Sequence, residues 1–148
     1  MPQNVNSSKF SIYLAGFLDA DGSIYVRAKP NSSYKYGYQV APTVAFFQSK
    51  KNNLFPDLCK RIGYGTMRIR KDNIFEYTIA KQDEIRDFLE QVLPYLVLKQ
   101  EQAKLMLKIL DFKENIQSKD EFNRLLALID SFRELNYSKN RKVRTMIL

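Results

Sequence analysis

From Ser8 onward, apolar residues recur at helical spacing: Phe10, Tyr13, Leu14, Phe17 and Leu18 form a stripe before Asp19-Ala20-Asp21-Gly22. The pattern predicts a helix capped by Ser7 or Ser8 and stopped by Gly22. The period then drops to two. Ile24, Val26 and Ala28 alternate with Tyr25, Arg27 and Lys29, and Pro30-Asn31-Ser32-Ser33 opens a loop. A return strand from about Tyr38 to Gln48 closes a hairpin, and Pro42 within it demands an edge, a bulge or a strand end. Asn52 or Asn53 then caps a short helix through Leu54, Leu58 and Ile62, with Pro56 in its first turn and Gly63-Tyr64-Gly65 after it.

A second, shorter hairpin is expected from Thr66 to Arg70 and Ile74 to Ala80, turning at Lys71-Asp72-Asn73. The rest is helical. Ile85, Phe88, Leu89, Val92 and Leu93 make one stripe ahead of Pro94, and a further helix is expected from about Leu98 to Phe112. Ser118 and Glu121 then form a capping box before Phe122, Leu125, Leu126, Ile129 and Phe132. The order αββαββα with two further C-terminal helices defines an α+β fold built on two antiparallel hairpins. No linker, repeat or low-complexity tract divides the chain, so residues 1–148 are read as one domain. Leu128-Ile129-Asp130 echoes Phe17-Leu18-Asp19, but no Asp-Gly follows it, and its spacing is that of a core-facing helix.

Composition narrows the chemistry. With 45% apolar residues the chain can bury a core, which excludes a disordered basic tail. One cysteine and no histidine exclude an internal disulfide, a multi-cysteine zinc site and every His-dependent mechanism. Carboxylates, lysines and oxygen-held metals remain. No apolar run reaches the roughly 18 residues of a spanning helix, and MPQNVNSSKF lacks the order of a signal peptide, so no membrane partner is expected.

The net charge of +8 is polarised: residues 22–71 hold ten Lys or Arg against Asp57 alone, and residues 135–148 hold four and no acid. Such a distribution suits a polyanion, most often nucleic acid. Anionic membrane usually requires a basic amphipathic helix, whereas the basic region here reads as strand.

Residues Leu14 to Gly22 read LAGFLDADG, which resembles the signature of the LAGLIDADG homing endonucleases at eight of nine positions, counting Leu18 as conservative for Ile. KPNSSYKYGYQV, LVLKQEQAKLMLKI and NYSKNRK extend the similarity to the single-motif, intron-encoded branch across nearly the whole chain. The resemblance implies a saddle of two hairpins on DNA, with packed helices behind, in a homodimeric, Mg²⁺-dependent, site-specific enzyme. It implies that Asp21 is the metal-binding acid, that the Ala20 backbone carbonyl contributes to the metal site, that Lys99 lies near the scissile phosphate, and that Gln48 positions solvent. A basic residue a few positions later belongs to the same site, and Lys51 is chosen over Lys50.

The motif also has a physical rationale. Ala15 and Gly16 permit close helix approach, placing Tyr13, Ala15, Gly16, Phe17 and Asp19 at a dimer interface, with Asp19 also read as helix-end support. One chain carries one motif, so two-fold symmetry must supply the second, bringing two Asp21 carboxylates together where cations are needed between them. Mg²⁺ takes one or two carboxylates plus phosphate oxygens, which suits phosphodiester hydrolysis.

Strands of about ten residues at about 3.3 Å each reach about 33 Å, close to one turn of B-DNA, so two copies span about two turns. Tyr25, Arg27, Lys29, Asn31, Ser33, Tyr34, Lys35, Gln39 and Thr43 fall on or near one face of the first hairpin, and Arg68, Arg70, Glu76 and Thr78 on the second. Arg27, Arg68 and Arg70 suit guanine edges, Gln39 adenine, and Glu76 cytosine. Ser138, Lys139, Arg141 and Lys142 suit phosphate. Cys59 is expected to have no role. An RNA-binding maturase acting on host intron RNA, or a non-cleaving DNA binder, are the alternative functions. Lys, Asn, Ile, Phe and Tyr make up 55 of 148 residues, a bias AT-rich coding produces, which points to a chloroplast or mitochondrion.

Overall fold

A computed structural model describes residues 8–136. Helix α1 (Ser8–Asp21) passes directly into β1 (Gly22–Pro30), followed by β2 (Tyr38–Ser49) and α2 (Phe55–Ile62). Strands β3 (Thr66–Ile69) and β4 (Ile74–Ile79) form the second hairpin. Helix α3 (Gln82–Val92) ends in a 3₁₀ turn at Leu93–Tyr95, and α4 (Gln100–Glu114) and α5 (Lys119–Leu135) complete the described chain. The order is the expected one.

All strands pair antiparallel in a single sheet of order β1-β2-β4-β3. Alternation makes the sheet one-sided. Ile24, Val26, Val44, Phe46, Phe75, Tyr77 and Ile79 are buried on the helix side, while Tyr25, Arg27, Lys29, Gln39, Thr43, Glu76 and Thr78 take the opposite parity. Phe46 ties the layers, stacking on Phe17 at 4.8 Å and meeting Phe88 edge-on at 6.0 Å; such ring pairs add to ordinary burial.

Pro42 sits in β2, an inner strand, yet causes no conflict. It pairs with Val26 of β1, whereas β4 pairs only with Val44–Ser49, so the strand is locally an edge at the proline.

Gly22 was expected as a helix stop, but its cause is steric. A Cβ there would lie 2.5 Å from Leu18 Cδ1 and 2.9 Å from Phe46 Cε1. Gly22→Ala is therefore expected to destabilise the fold by about 1–3 kcal/mol through overpacking. Urea unfolding checks this, and a change within error would contradict the packing argument.

Three helix starts differ from expectation. The N-cap of α2 is Leu54, without a side-chain bond, because Asn52 is engaged elsewhere. The buried face of α2 is Phe55, Cys59 and Ile62, with Leu54 exposed. Helix α4 begins at Gln100 rather than Leu98, with Lys99 as N-cap instead of a first-turn residue. At α5, Ser118 Oγ accepts from Glu121 N at 3.2 Å as foreseen, but the Glu121 carboxylate turns to Gln117 N at 2.7 Å. No helix among the described residues is long and apolar enough to cross a membrane.

Candidate active site and nucleic-acid interface

Asp21 is the exposed last residue of α1. Gln48 has core-side parity in β2 and lies two residues beyond Phe46, which pairs with Gly22, so the end of β2 meets the end of α1. Gln48 Nε2 donates to Asp21 Oδ2 at 2.9 Å, and Asn52 Nδ2 donates to Gln48 Oε1 at 3.2 Å. An ionised carboxylate only accepts, which sets the Gln48 amide and in turn that of Asn52.

Asn52 was not among the expected site residues; Lys51 was. The turn Asn52 N to Ser49 O, 2.9 Å, folds Asn52 back toward Gln48. Lys51 N donates to Ser49 Oγ at 3.2 Å, and its exposed side chain lies with Lys50 in a depression lined by Ser49, Asp72, Asn73 and Ile74. The structure thus brings Asn52, not Lys51, to Gln48. Nothing in the run Lys50-Lys51-Asn52-Asn53 separates them; the turn does.

Lys99 is half-buried. Its Nζ donates to the Asp19 carbonyl at 2.6 Å, while Val97 N and Lys99 N donate to Asp19 Oδ2 and Oδ1 at 2.8 and 2.9 Å. The cation that the N-terminus of α4 disfavours sits at the C-terminal end of α1, where the helix dipole favours it. Ala20 is exposed in the last turn of α1, where carbonyls lack intrahelical partners.

One of the five expected interface residues needs correction. Ala15 is fully buried within the protomer, because it lies on the core side of α1, beside Leu14 and Leu18. The Asp19 carboxylate is engaged within the chain, in keeping with its reading as helix-end support. The outward face is Ile12, Tyr13, Gly16 and Phe17: Ile12 and Tyr13 are half exposed, and a Cβ on Gly16 would meet nothing within 4 Å. It borders a groove of about 860 Å³ that also includes Asp21, Gln48, Asn52, Leu54, Leu58 and Arg61. Leu54, Val97 and Leu98 are more than 70% exposed. Sequence reading missed these three because each sits beside a helix start and reads as part of it.

The open sheet face carries the expected recognition residues in register: Tyr25 opposite Thr43, Arg27 opposite Ala41, Lys29 opposite Gln39. Arg27 lies over the Tyr25 ring at 5.1 Å. In the loop, Asn31 Oδ1 accepts from Ser33 N at 3.0 Å and Ser33 Oγ at 2.7 Å, and Tyr34 and Lys35 are exposed. Thr78 pairs with Ala45 and Thr66. Arg68 and Glu76, expected as separate readers, are cross-strand partners joined by an ion pair, Arg68 Nε to Glu76 Oε2 being 2.9 Å. Glu76 therefore aims Arg68. Arg70 pairs with Asp72 at 2.9 Å and lies over the Phe47 ring at 5.9 Å. Phe47, hidden in an apolar run, belongs to this face. Ser138, Lys139, Arg141 and Lys142 lie outside the described residues. Burial pushes the Cys59 thiol up to about 12, which leaves it protonated and inert at neutral pH.

A bare, basic antiparallel sheet ending at a helix-terminal carboxylate, with an amide and a lysine beside the same helix end, has the layout of a DNA-cleaving enzyme. The LAGLIDADG endonuclease model matches residues 14–116. The chain is 38% identical over 138 residues to DNA endonuclease I-CreI of Chlamydomonas reinhardtii, covering 92% of this chain and 84% of that protein. It is 33% identical over 143 residues to DNA endonuclease I-CvuI of Chlorella vulgaris, covering 96% and 89%. A crystal structure of I-CvuI with the I-CreI target in 2 mM Mg, its DNA not cleaved, superposes with a TM-score of 0.87 at 33% identity, covering 95% of this chain and 90% of that one. The chain belongs to the LAGLIDADG endonuclease family and is a site-specific DNA endonuclease.

Proposed function

We propose that this chain acts as a Mg²⁺-dependent homodimer that cuts both strands of a long, near-palindromic DNA site. The observation that carries the reading is the exposed carboxylate of Asp21 at the end of a helix whose outer face is left apolar and open. Among the described residues no group of three or more His, Cys, Asp or Glu could hold a metal ion. One chain offers one motif carboxylate, half of the pair that two-fold symmetry makes. A second copy docked on the Tyr13–Gly16–Phe17 face completes it, adding its own Asp21, and covers the exposed Leu54, Val97 and Leu98.

The donor set fits Mg²⁺. Asp21 commits Oδ2 to Gln48 and keeps Oδ1, Ala20 offers a helix-end carbonyl, and two carboxylates with phosphate oxygens and waters satisfy a hard cation. Bound there, the metal supplies activation of the attacking water and charge neutralisation at the leaving oxygen. The chain's residues do the rest. Gln48 holds the Asp21 carboxylate in one orientation, and Asn52 holds Gln48. Lys99 brings a positive charge to the scissile phosphate, favouring the charge that develops there. The open sheet face lies in the major groove, with Arg27, Arg68, Arg70 and Gln39 on base edges and Lys29, Lys35 and Lys51 toward the backbone. The compositional bias supports synthesis inside a chloroplast or mitochondrion.

Selection of cleaved DNA from a randomised-site plasmid library, with Mg²⁺ or EDTA, tests the reading. The expected result is a near-palindromic site cut only with Mg²⁺, by a species that sediments as a dimer. A site enriched by binding but never cut would overturn the nuclease reading, and an asymmetric site cut by a monomer would overturn the symmetry.

A further inference from the structure

We infer that Asp19, the first acid of the motif, is a positioning residue that holds Lys99 in place by its carboxylate and its carbonyl together. This rests on the reading that Lys99 acts at the phosphate.

Lysine has no acceptor, so Lys99 as N-cap of α4 cannot satisfy the first amides of its own helix. What holds the lysine lies just before the helix: Asp19, on another element and some 80 residues away in sequence, accepts from the Val97 and Lys99 amides and from the Lys99 ammonium. One carboxylate oxygen takes Val97 N and the other Lys99 N, while the carbonyl takes Lys99 Nζ. The segment has little else to hold it. Leu96 is buried, but Val97 and Leu98 are 80% and 73% exposed, so burial does not fix the backbone at Lys99. Three bonds to one residue do, and that residue is two positions from Asp21 in the same final turn. The two acids divide the work: Asp21 faces the reacting centre, and Asp19 sets where a lysine stands relative to it.

The test uses the full-length protein on its selected site with Mg²⁺, comparing single-turnover cleavage by wild type, Asp19→Asn, Lys99→Met and the double variant. DNA affinity in EDTA and thermal melting are measured alongside. Lys99→Met is expected to slow cleavage about 10²–10³-fold, and Asp19→Asn about 10–100-fold at unchanged DNA affinity, as loss of alignment does. The double variant should be no slower than Lys99→Met, because Asp19 acts through Lys99. Wild-type cleavage by folded Asp19→Asn with a slow Lys99→Met, or fully additive losses, would overturn the proposal and leave the Lys99 reading intact. Wild-type cleavage by Lys99→Met would remove the Lys99 reading itself. A measurement on metal-free wild type does not depend on how Asp19→Asn folds: acylation of lysines followed by mass spectrometry. Lys99 should react several-fold more slowly than exposed Lys51, and equal rates would overturn the proposal.

Discussion

Asp21→Asn is expected to give a protein that binds its DNA site and does not cut it, with single-turnover cleavage reduced at least about 10³-fold. The substitution preserves shape, and Asn Oδ1 can still accept from Gln48 Nε2, so the end of α1 and the strand beside it keep their geometry. What disappears is charge. A dimer loses two carboxylates at once, and neutral amides are poor ligands for Mg²⁺ compared with carboxylates. DNA affinity should hold or rise, since Asp21 is an acid facing a polyanion. Cleavage assays with Mg²⁺ and gel shifts in EDTA separate the two effects. Cleavage at the wild-type rate would remove Asp21 from the mechanism.

Binding itself should collapse with salt. Arg27, Lys29, Lys35, Lys50, Lys51, Arg70 and Lys71 are all exposed on or beside the open face, and the acids nearest them, Asp72 and Glu76, are spent on Arg70 and Arg68. Each phosphate that a lysine or arginine neutralises releases condensed counterions. A dimer making roughly 6 to 10 such contacts loses about 10³–10⁵-fold in affinity between 50 and 200 mM salt. Titrations across that range in EDTA give the slope directly. A flat dependence would mean that the basic face is not the DNA-binding surface.

The open basic face of the sheet was legible in the sequence because a strand exposes alternate residues, and period two leaves two choices, of which only one is apolar enough for the core. That parity places Tyr25, Thr43, Lys29 and Gln39 on one face, and the structure pairs Tyr25 with Thr43 and Lys29 with Gln39. The same logic could not reveal that Arg68 faces Glu76, since parity puts both on one face without stating the register. Helix α1 was harder. Its apolar residues cover two sides, so the pattern shows a helix that is buried and contacted without showing how it is rotated. Packing decided that Leu14, Ala15 and Leu18 face inward and that Tyr13 and Gly16 stay open.

Asn52 and Asp19 show a different limit. Asn52 reaches Gln48 through a turn after a strand, and Asp19 meets Val97 and Lys99 although all four strands lie between them in sequence. Neither partner choice leaves a periodic trace. By itself the sequence determined the order of elements, the basic face and the acid at the helix end, because each depends on neighbours within one or two turns of chain. Only the tertiary structure decided which amide orients Gln48, which acid holds Lys99 and which side of α1 is left open. Those depend on distances between segments far apart in sequence, set by how Phe46, Phe88 and Leu18 pack and not by local preference.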